Sequence, residues 1–144
     1  MKAPFVMIVD DEAPFVDTIT KRLGKRKLKV LKAFSGQECM ETLQKHQNLD
    51  VVVLDVKMPV MDGIQTLKAI KETYPMVEVV MLTGHGTIET AIEGMKLGAH
   101  DYLMKPCEID DLVSKIMEAT QKKRTKEEKI RNAQSEELLS KYEP

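Results

Sequence analysis

The sequence predicts an α/β domain, a parallel five-stranded sheet with helices on both faces, and three observations carry that prediction. Short apolar runs recur five times, at residues 5–9, 28–34, 51–54, 79–82 and 102–104. Each is followed by a stretch whose apolar residues fall at helical spacing. The connections are short, which favours right-handed βαβ units and a sheet covered on both sides.

Taken in order, Phe5-Val6-Met7-Ile8-Val9 is a buried strand that ends on Asp10-Asp11-Glu12. The next helix carries Val16, Ile19 and Leu23 on one face, with Gly24 placed to stop it. Residues 28–34 form a more polar strand, nearer a sheet edge. Ser35-Gly36-Gln37-Glu38 has the pattern of a capping box and announces a helix through about His46. Val51-Val52-Val53-Leu54 has three β-branched residues in four, the mark of a strand buried on both faces, and it stops on Asp55. Gly63 opens a helix bearing Ile64, Leu67 and Ile70 that ends before Pro75. The fourth strand, 79–82, stops on Thr83, and Gly84-His85-Gly86 turns into a helix with Ile88, Ala91, Ile92 and Met95 on one face. Gly98 marks its end. The fifth strand, 102–104, delivers Lys105-Pro106, and the last helix shows the stripe Ile109, Leu112, Val113, Ile116 and Met117.

Composition bounds the function. A chain of 144 residues with net charge −1 has room for one full core, and its charge gives no general attraction to nucleic acid or membrane. The apolar runs fall far short of the roughly 20 residues of a membrane span. The N-terminus lacks the apolar segment and small-residue cleavage site of a leader, which predicts a cytoplasmic protein. Cys39 and Cys107 have no metal-ligand spacing and are expected to be free thiols. Ten methionines and no tryptophan predict a core filled partly by adaptable side chains. Beyond Thr120 the composition shifts. Residues 120–144 hold seven Lys/Arg against five Asp/Glu, +2, which leaves 15 against 18, or −3, for residues 1–119. The expected division is residues 1–120 as the folded domain and 121–144 as a charged helical extension, a linker or a truncation stub. Ile130, Ala133, Leu138 and Leu139 are too sparse there for a sustained heptad seam.

The chemistry lies at the strand ends. In open α/β sheets, ligands bind outside the carboxyl ends of the strands, and folding brings Asp10-Asp11, Asp55, Thr83 and Lys105 to that edge. Three crowded carboxylates need a cation or a proton. An all-oxygen anionic pocket suits a hard ion such as Mg²⁺, which binds through one or two carboxylates, waters and a phosphate. The Thr83 hydroxyl can donate to a phosphoryl oxygen, and the Lys105 ammonium suits the same anion. Asp55 then reads as a carboxylate nucleophile that accepts a phosphoryl group.

The chain resembles a bacterial two-component response-regulator receiver domain from residue 5 to about 119. The residues that carry the resemblance are Val9-Asp10-Asp11, Leu54-Asp55, Met58-Pro59-Val60-Met61-Asp62-Gly63, Leu82-Thr83-Gly84 and the run from Gly98 to Pro106. The resemblance implies a doubly wound sheet of flavodoxin-like order 2-1-3-4-5. It implies that Asp55 takes a phosphoryl group from a phosphohistidine on a sensor histidine kinase or phosphotransfer protein. Asp11, Asp55 and the backbone carbonyl of Lys57 would bind Mg²⁺ directly, with Asp10 acting partly through water. Thr83 and Lys105 would contact the phosphoryl group, Tyr102 would be the aromatic switch, and the peptide before Pro106 would be cis. Lys57 and His85 are candidates for tuning rates. Thr83-Gly84-His85-Gly86-Thr87 and Ile88-Glu89-Thr90-Ala91 are most similar to the nitrogen-regulatory receivers that precede sigma-54 activator modules. Cys107 departs from them, standing where they usually have Phe. The expected output is a change in the face made by the fourth helix, fifth strand and fifth helix, acting on an output domain or a phosphorylation-dependent homodimer, with no direct contact to nucleic acid.

Two other functions share parts of this pattern. A phosphohydrolase built on an Asp nucleophile and Mg²⁺ generally wants a second Asp two residues later as general acid, and that position is Lys57. A flavin carrier would need a phosphate-cradling loop after the first strand, where this chain has three acids.

Overall fold

A computed structural model describes residues 2–142. Its elements are β1 (Phe5–Val9), α1 (Ala13–Lys25), β2 (Lys29–Ala33), α2 (Gly36–Lys45), β3 (Val51–Leu54), α3 (Gly63–Thr73), β4 (Glu78–Thr83), α4 (Ile88–Lys96), β5 (Asp101–Met104) and α5 (Ile109–Ser140). The sheet is parallel throughout, in the order β2-β1-β3-β4-β5. The chain starts near the centre, winds to one edge, then crosses to the other, which is the doubly wound topology.

Strand alternation divides the core in two. Val6, Ile8, Val51, Val53, Val80 and Leu82 face α1 and α5, where Val16, Leu23, Leu112 and Ile116 meet them. Met7, Val9, Val52, Leu54, Val79 and Met81 face α2 and α3, packing on Cys39, Leu43, Leu67 and Ile70. Every residue of β1, β3 and β4 is buried, whereas β2 at one edge keeps exposed positions. Burying each Val, Leu or Ile of this core contributes about 1.5–3 kcal/mol before entropy.

Several local expectations shift. Gly24 does not end α1; the helix runs to Lys25, and the chain turns at Lys27, which takes φ +66°. Ser35 caps α2 by accepting from the Glu38 amide at 3.1 Å, but Glu38 reaches back to the Phe34 amide rather than to that of Ser35. The predicted apolar face of α4 is turned outward: Ile88, Ile92 and Met95 are exposed. Gly94 is the residue of α4 that is buried, and a Cβ there would just touch Met81, Ile64 and Leu67. Gly94 thus takes the inner side of α4, and Ile88, Ile92 and Met95 face out. The methionines divide likewise, with Met7, Met58 and Met81 buried but Met95, Met104 and Met117 exposed. Both cysteines are free.

Helix α5 is continuous through Thr120 to Ser140. Its first residues past Thr120 are fastened to the amino-terminal ends of the central strands. Asp50, just before β3, accepts from the Phe5 amide at 2.9 Å and pairs with Lys123 at 3.3 Å and Arg124 at 3.0 Å. Arg124 also donates to the carbonyls of Lys2 and Ala3, at 2.6 and 3.2 Å. Glu78, which opens β4, is surrounded by Lys71, Lys122 and Lys126 at 3.4 to 3.7 Å. Two buried acids and five cations thus hold the base of the sheet to α3 and α5. Among the described residues no helix is long and apolar enough to cross a membrane.

Candidate functional site

The parallel ladders extend one residue past the strands, and that step assembles the site. The Asp55 amide donates to the Val9 carbonyl at 3.0 Å, which sets Asp55 beside Asp10. The Lys105 amide donates to the Thr83 carbonyl at 2.9 Å, pairing the other two strand ends. Asp10 and Asp55 are each 1% exposed, Thr83 is fully buried, and Asp11 reaches into solvent. One carboxylate oxygen from each of Asp10, Asp11 and Asp55 lies within 4.8 Å of the others.

Asp55 is the unusual member. Neither of its side-chain oxygens has a hydrogen-bond partner among the described residues. Burial pushes its pKa above the ordinary carboxylate value of 3.8, and the nearby Asp10 charge adds to the rise. Thr83, Lys105 and the Val56 amide pull the other way without reversing it. The Thr83 hydroxyl does not form a bond with good geometry to Asp55; it accepts from the His85 amide at 3.0 Å. A buried carboxylate without a partner among the described residues, set between two further acids, makes an all-oxygen donor set whose chemistry fits a hard divalent ion.

The cationic half of the site is held ready nearby. Lys105 donates to Asp10 at 2.6 Å, stands 3.7 Å from Glu12, and lies 3.9 Å above the ring of Phe15. The Lys105–Pro106 peptide is cis. Glycine at position 63 is required by a close approach: its amide donates to the Val56 carbonyl at 2.7 Å, and a Cβ would strike the Asp55 carbonyl. The loop before it contains Val60 at φ +67°, a left-handed conformation that costs a β-branched residue about 1–3 kcal/mol. The side chain of Val60 is fully exposed.

Of the residues singled out in the sequence, Asp10, Asp11, Asp55, Thr83 and Lys105 converge. Lys57 and His85 are exposed on the rim of a cleft of about 350 Å³, which Asp11, Glu12, Met58 and Pro59 also line. Tyr102 is set apart: its hydroxyl lies 2.9 Å from that of Thr90, at the start of α4. Cys107 is partly buried just before α5. Sequence reasoning passed over Glu12 and Phe15 as partners of Lys105. Only their place in the first turn after β1, the same edge of the sheet, could have pointed to them.

A doubly wound 2-1-3-4-5 sheet with an acidic, lysine-bearing crevice at its carboxyl edge defines the receiver class of α/β domains. The sequence matches the response regulator receiver domain over residues 6–117, and the chain belongs to that family. It is 37% identical over 114 residues to the transcriptional regulatory protein ZraR of Escherichia coli, covering 79% of this chain and 26% of that protein. It is 34% identical over 119 residues to the DNA-binding transcriptional regulator NtrC of Escherichia coli, covering 83% of this chain and 25% of that protein. These likenesses place it with the nitrogen-regulatory type of receiver. The chain spans about a quarter of the length of these relatives. A receiver domain from Clostridium thermocellum superposes with TM-score 0.81 at 36% identity, over 85% of this chain and 98% of that one.

Proposed function

We infer that the domain is a phosphoacceptor switch in two-component signalling, acting in the cytoplasm, and that Asp55 receives the phosphoryl group from a phosphohistidine on a sensor kinase or phosphotransfer protein. The observation that carries this reading is the buried Asp55 carboxylate, without a hydrogen-bond partner among the described residues and flanked by Thr83 and Lys105. In the transfer, the N–P bond of the donor breaks, an O–P bond forms to Asp55, and the released imidazole takes a proton. Thr83 and Lys105 meet the new phosphoryl oxygens, the first as a donor and the second as a compact charge. A Mg²⁺ ion held by Asp10, Asp11, Asp55 and the carbonyl of Lys57 would neutralise the crowded acids and the incoming phosphoryl group. Lys57 and His85, on the cleft rim, can tune how readily water reaches the phosphorylated residue.

The product is a conformation, so the domain is not a turnover enzyme. Movement of Thr83 toward the phosphoryl group would loosen its acceptance from His85 and alter the α4 end, where Tyr102 meets Thr90. The outward face of α4, with Ile88, Ile92 and Met95, is the apolar surface such a change would offer to an output domain or a second copy. Hydrolase chemistry lacks its general acid, since Lys57 stands in that place. Incubation with acetyl phosphate and Mg²⁺ should add one base-labile phosphoryl group at Asp55, and none to Asp55→Asn. Mass spectrometry that locates the group on serine or histidine would end this reading.

A further inference from the structure

Lys105 is held on one side by an anion and on the other by a ring. Among the described residues Asp10 is the one hydrogen-bond acceptor of its ammonium, at 2.6 Å, and Nζ lies 3.9 Å from the ring centroid of Phe15. Glu12 stands 3.7 Å away with a side chain 60% exposed, so water screens most of its pull. The Lys105 side chain is only 15% exposed, which makes solvent a minor partner. The chain itself places Phe15 for this contact. Phe15 lies in the first turn of α1, which opens directly after the acids that end β1. Its ring packs against the core cluster between the sheet, α1 and α5, and is fixed there.

The face of an aromatic ring attracts an ammonium through its quadrupole, without a full countercharge. That difference matters for a lysine that has to change partners. On the phosphoacceptor reading, Lys105 leaves Asp10 for a phosphoryl group on Asp55. A further acid in place of the ring would hold the ammonium back with a second ion pair. An aliphatic side chain there would leave the flexible four-carbon stem free to wander among its rotamers. We propose that Phe15 is a positioning residue for Lys105, its ring keeping the ammonium at the crevice while Lys105 exchanges Asp10 for the phosphoryl group. This role rests on Asp55 being the phosphoacceptor, and the ring itself does not touch the phosphoryl group.

The test compares the full chain with Phe15→Leu, Phe15→Tyr and a chain in which Phe15 is replaced by 3,4,5-trifluorophenylalanine. The fluorinated ring keeps the outline of Phe but draws electron density from its face. Without Mg²⁺ or phosphoryl donor, proton NMR should place the Lys105 ε-methylene upfield of solvated lysines, because its ammonium lies over the ring. Phe15→Leu should abolish that displacement and Phe15→Tyr should restore it. Lys29, whose ammonium lies 4.4 Å from the ring centroid of Phe5, should show a displacement that no change at position 15 moves. With acetyl phosphate and Mg²⁺, phosphorylation of Asp55 should slow about threefold or more in Phe15→Leu and in the fluorinated chain, the loss expected of a partly exposed contact of this kind. Phe15→Tyr should restore the rate. A Lys105 signal among the solvated lysines would overturn the proposal, as would unaltered rates in Phe15→Leu and the fluorinated chain. Slow transfer in Phe15→Leu with an unaltered rate in the fluorinated chain would assign Phe15 to packing alone and overturn it too. Those results leave Asp55 as the acceptor. An unaltered chain that takes up no phosphoryl group at Asp55 would instead overturn the phosphoacceptor reading, and the role of Phe15 with it.

Discussion

Replacing Asp55 by Asn should stabilise the metal-free protein at neutral pH. The Asp55 carboxylate is 1% exposed, has no hydrogen-bond partner among the described residues, and sits beside Asp10. An unsatisfied buried polar group carries a penalty of about 1–3 kcal/mol, more when it is charged. Asn keeps the shape, removes the charge, and can donate from its amide to Asp10. The expected gain is roughly 1–2 kcal/mol, which for a domain of this size raises Tm by about 3–8 °C. The pH dependence follows from the direction of the Asp55 shift. Its folded pKa is raised above the ordinary 3.8. Below the ordinary value both folded and unfolded forms are protonated, and the carboxyl group costs nothing extra. As pH rises through the ordinary value and then the folded one, the unfolded state ionises first and the fold loses stability; above the folded pKa the whole penalty applies. The difference in Tm between Asp55→Asn and the unaltered protein should therefore be largest near pH 7 and vanish only below the ordinary carboxylate value of 3.8. Thermal unfolding followed by circular dichroism with a chelator present measures it. A variant less stable than the parent at pH 7, or a gain that grows on acidification, would refute the account of Asp55 as an uncompensated charge.

Four further outcomes can be checked. Mg²⁺ at a hundredfold excess over its Kd should stabilise the unaltered protein by about 2.7 kcal/mol, and Asp11→Ala should abolish that increment in the same melt. Lys123→Ala, which leaves the helix and the burial of Asp50 in place, should cost about 3–5 kcal/mol in urea denaturation, because it removes a buried partner of the Asp50 carboxylate. Gly63→Ala should destabilise by about 1–3 kcal/mol and weaken Mg²⁺ binding in a titration, since its Cβ pushes on the Asp55 carbonyl. With a thiol reagent under native conditions, Cys107 should react while Cys39, buried and pushed up to about 12, should stay silent until unfolding.

Much of this molecule was legible because its active edge and its central strands follow one rule. A strand buried on both faces must be apolar throughout, so Val51 to Leu54 and Phe5 to Val9 declared themselves, and the acids that stopped them marked the crevice. The α4 stripe misled for a related reason. Helical spacing of Ile88, Ile92 and Met95 shows that a helix has an apolar face, but not that the domain covers it. Here Gly94 is the buried position of α4, and the large apolar residues lie on the other side. The charged run after Thr120 was read by composition, which cannot distinguish solvated lysines from lysines with buried partners. Asp50 and Lys123 lie 73 residues apart, and nothing local to either announces the pair. The direction in which the Thr83 and Tyr102 side chains point was also beyond reach, since it depends on the backbone turn that aims the His85 amide at Thr83 and on Thr90 twelve residues before Tyr102.

The contact between Lys105 and Asp10 has a thermodynamic consequence of its own. At 2.6 Å the two groups neutralise each other, so the proposed cation at Asp10 and phosphoryl group at Lys105 would each compete with the same ion pair. Whichever arrives first bears that cost alone, and the second finds its group already released. Binding of the two is thereby linked with positive sign, and the linkage is reciprocal: the factor by which the cation tightens the anion is the factor by which the anion tightens the cation. On the proposed reading, this single lysine would make the crevice a coincidence detector, reluctant toward either ion by itself and receptive to both together.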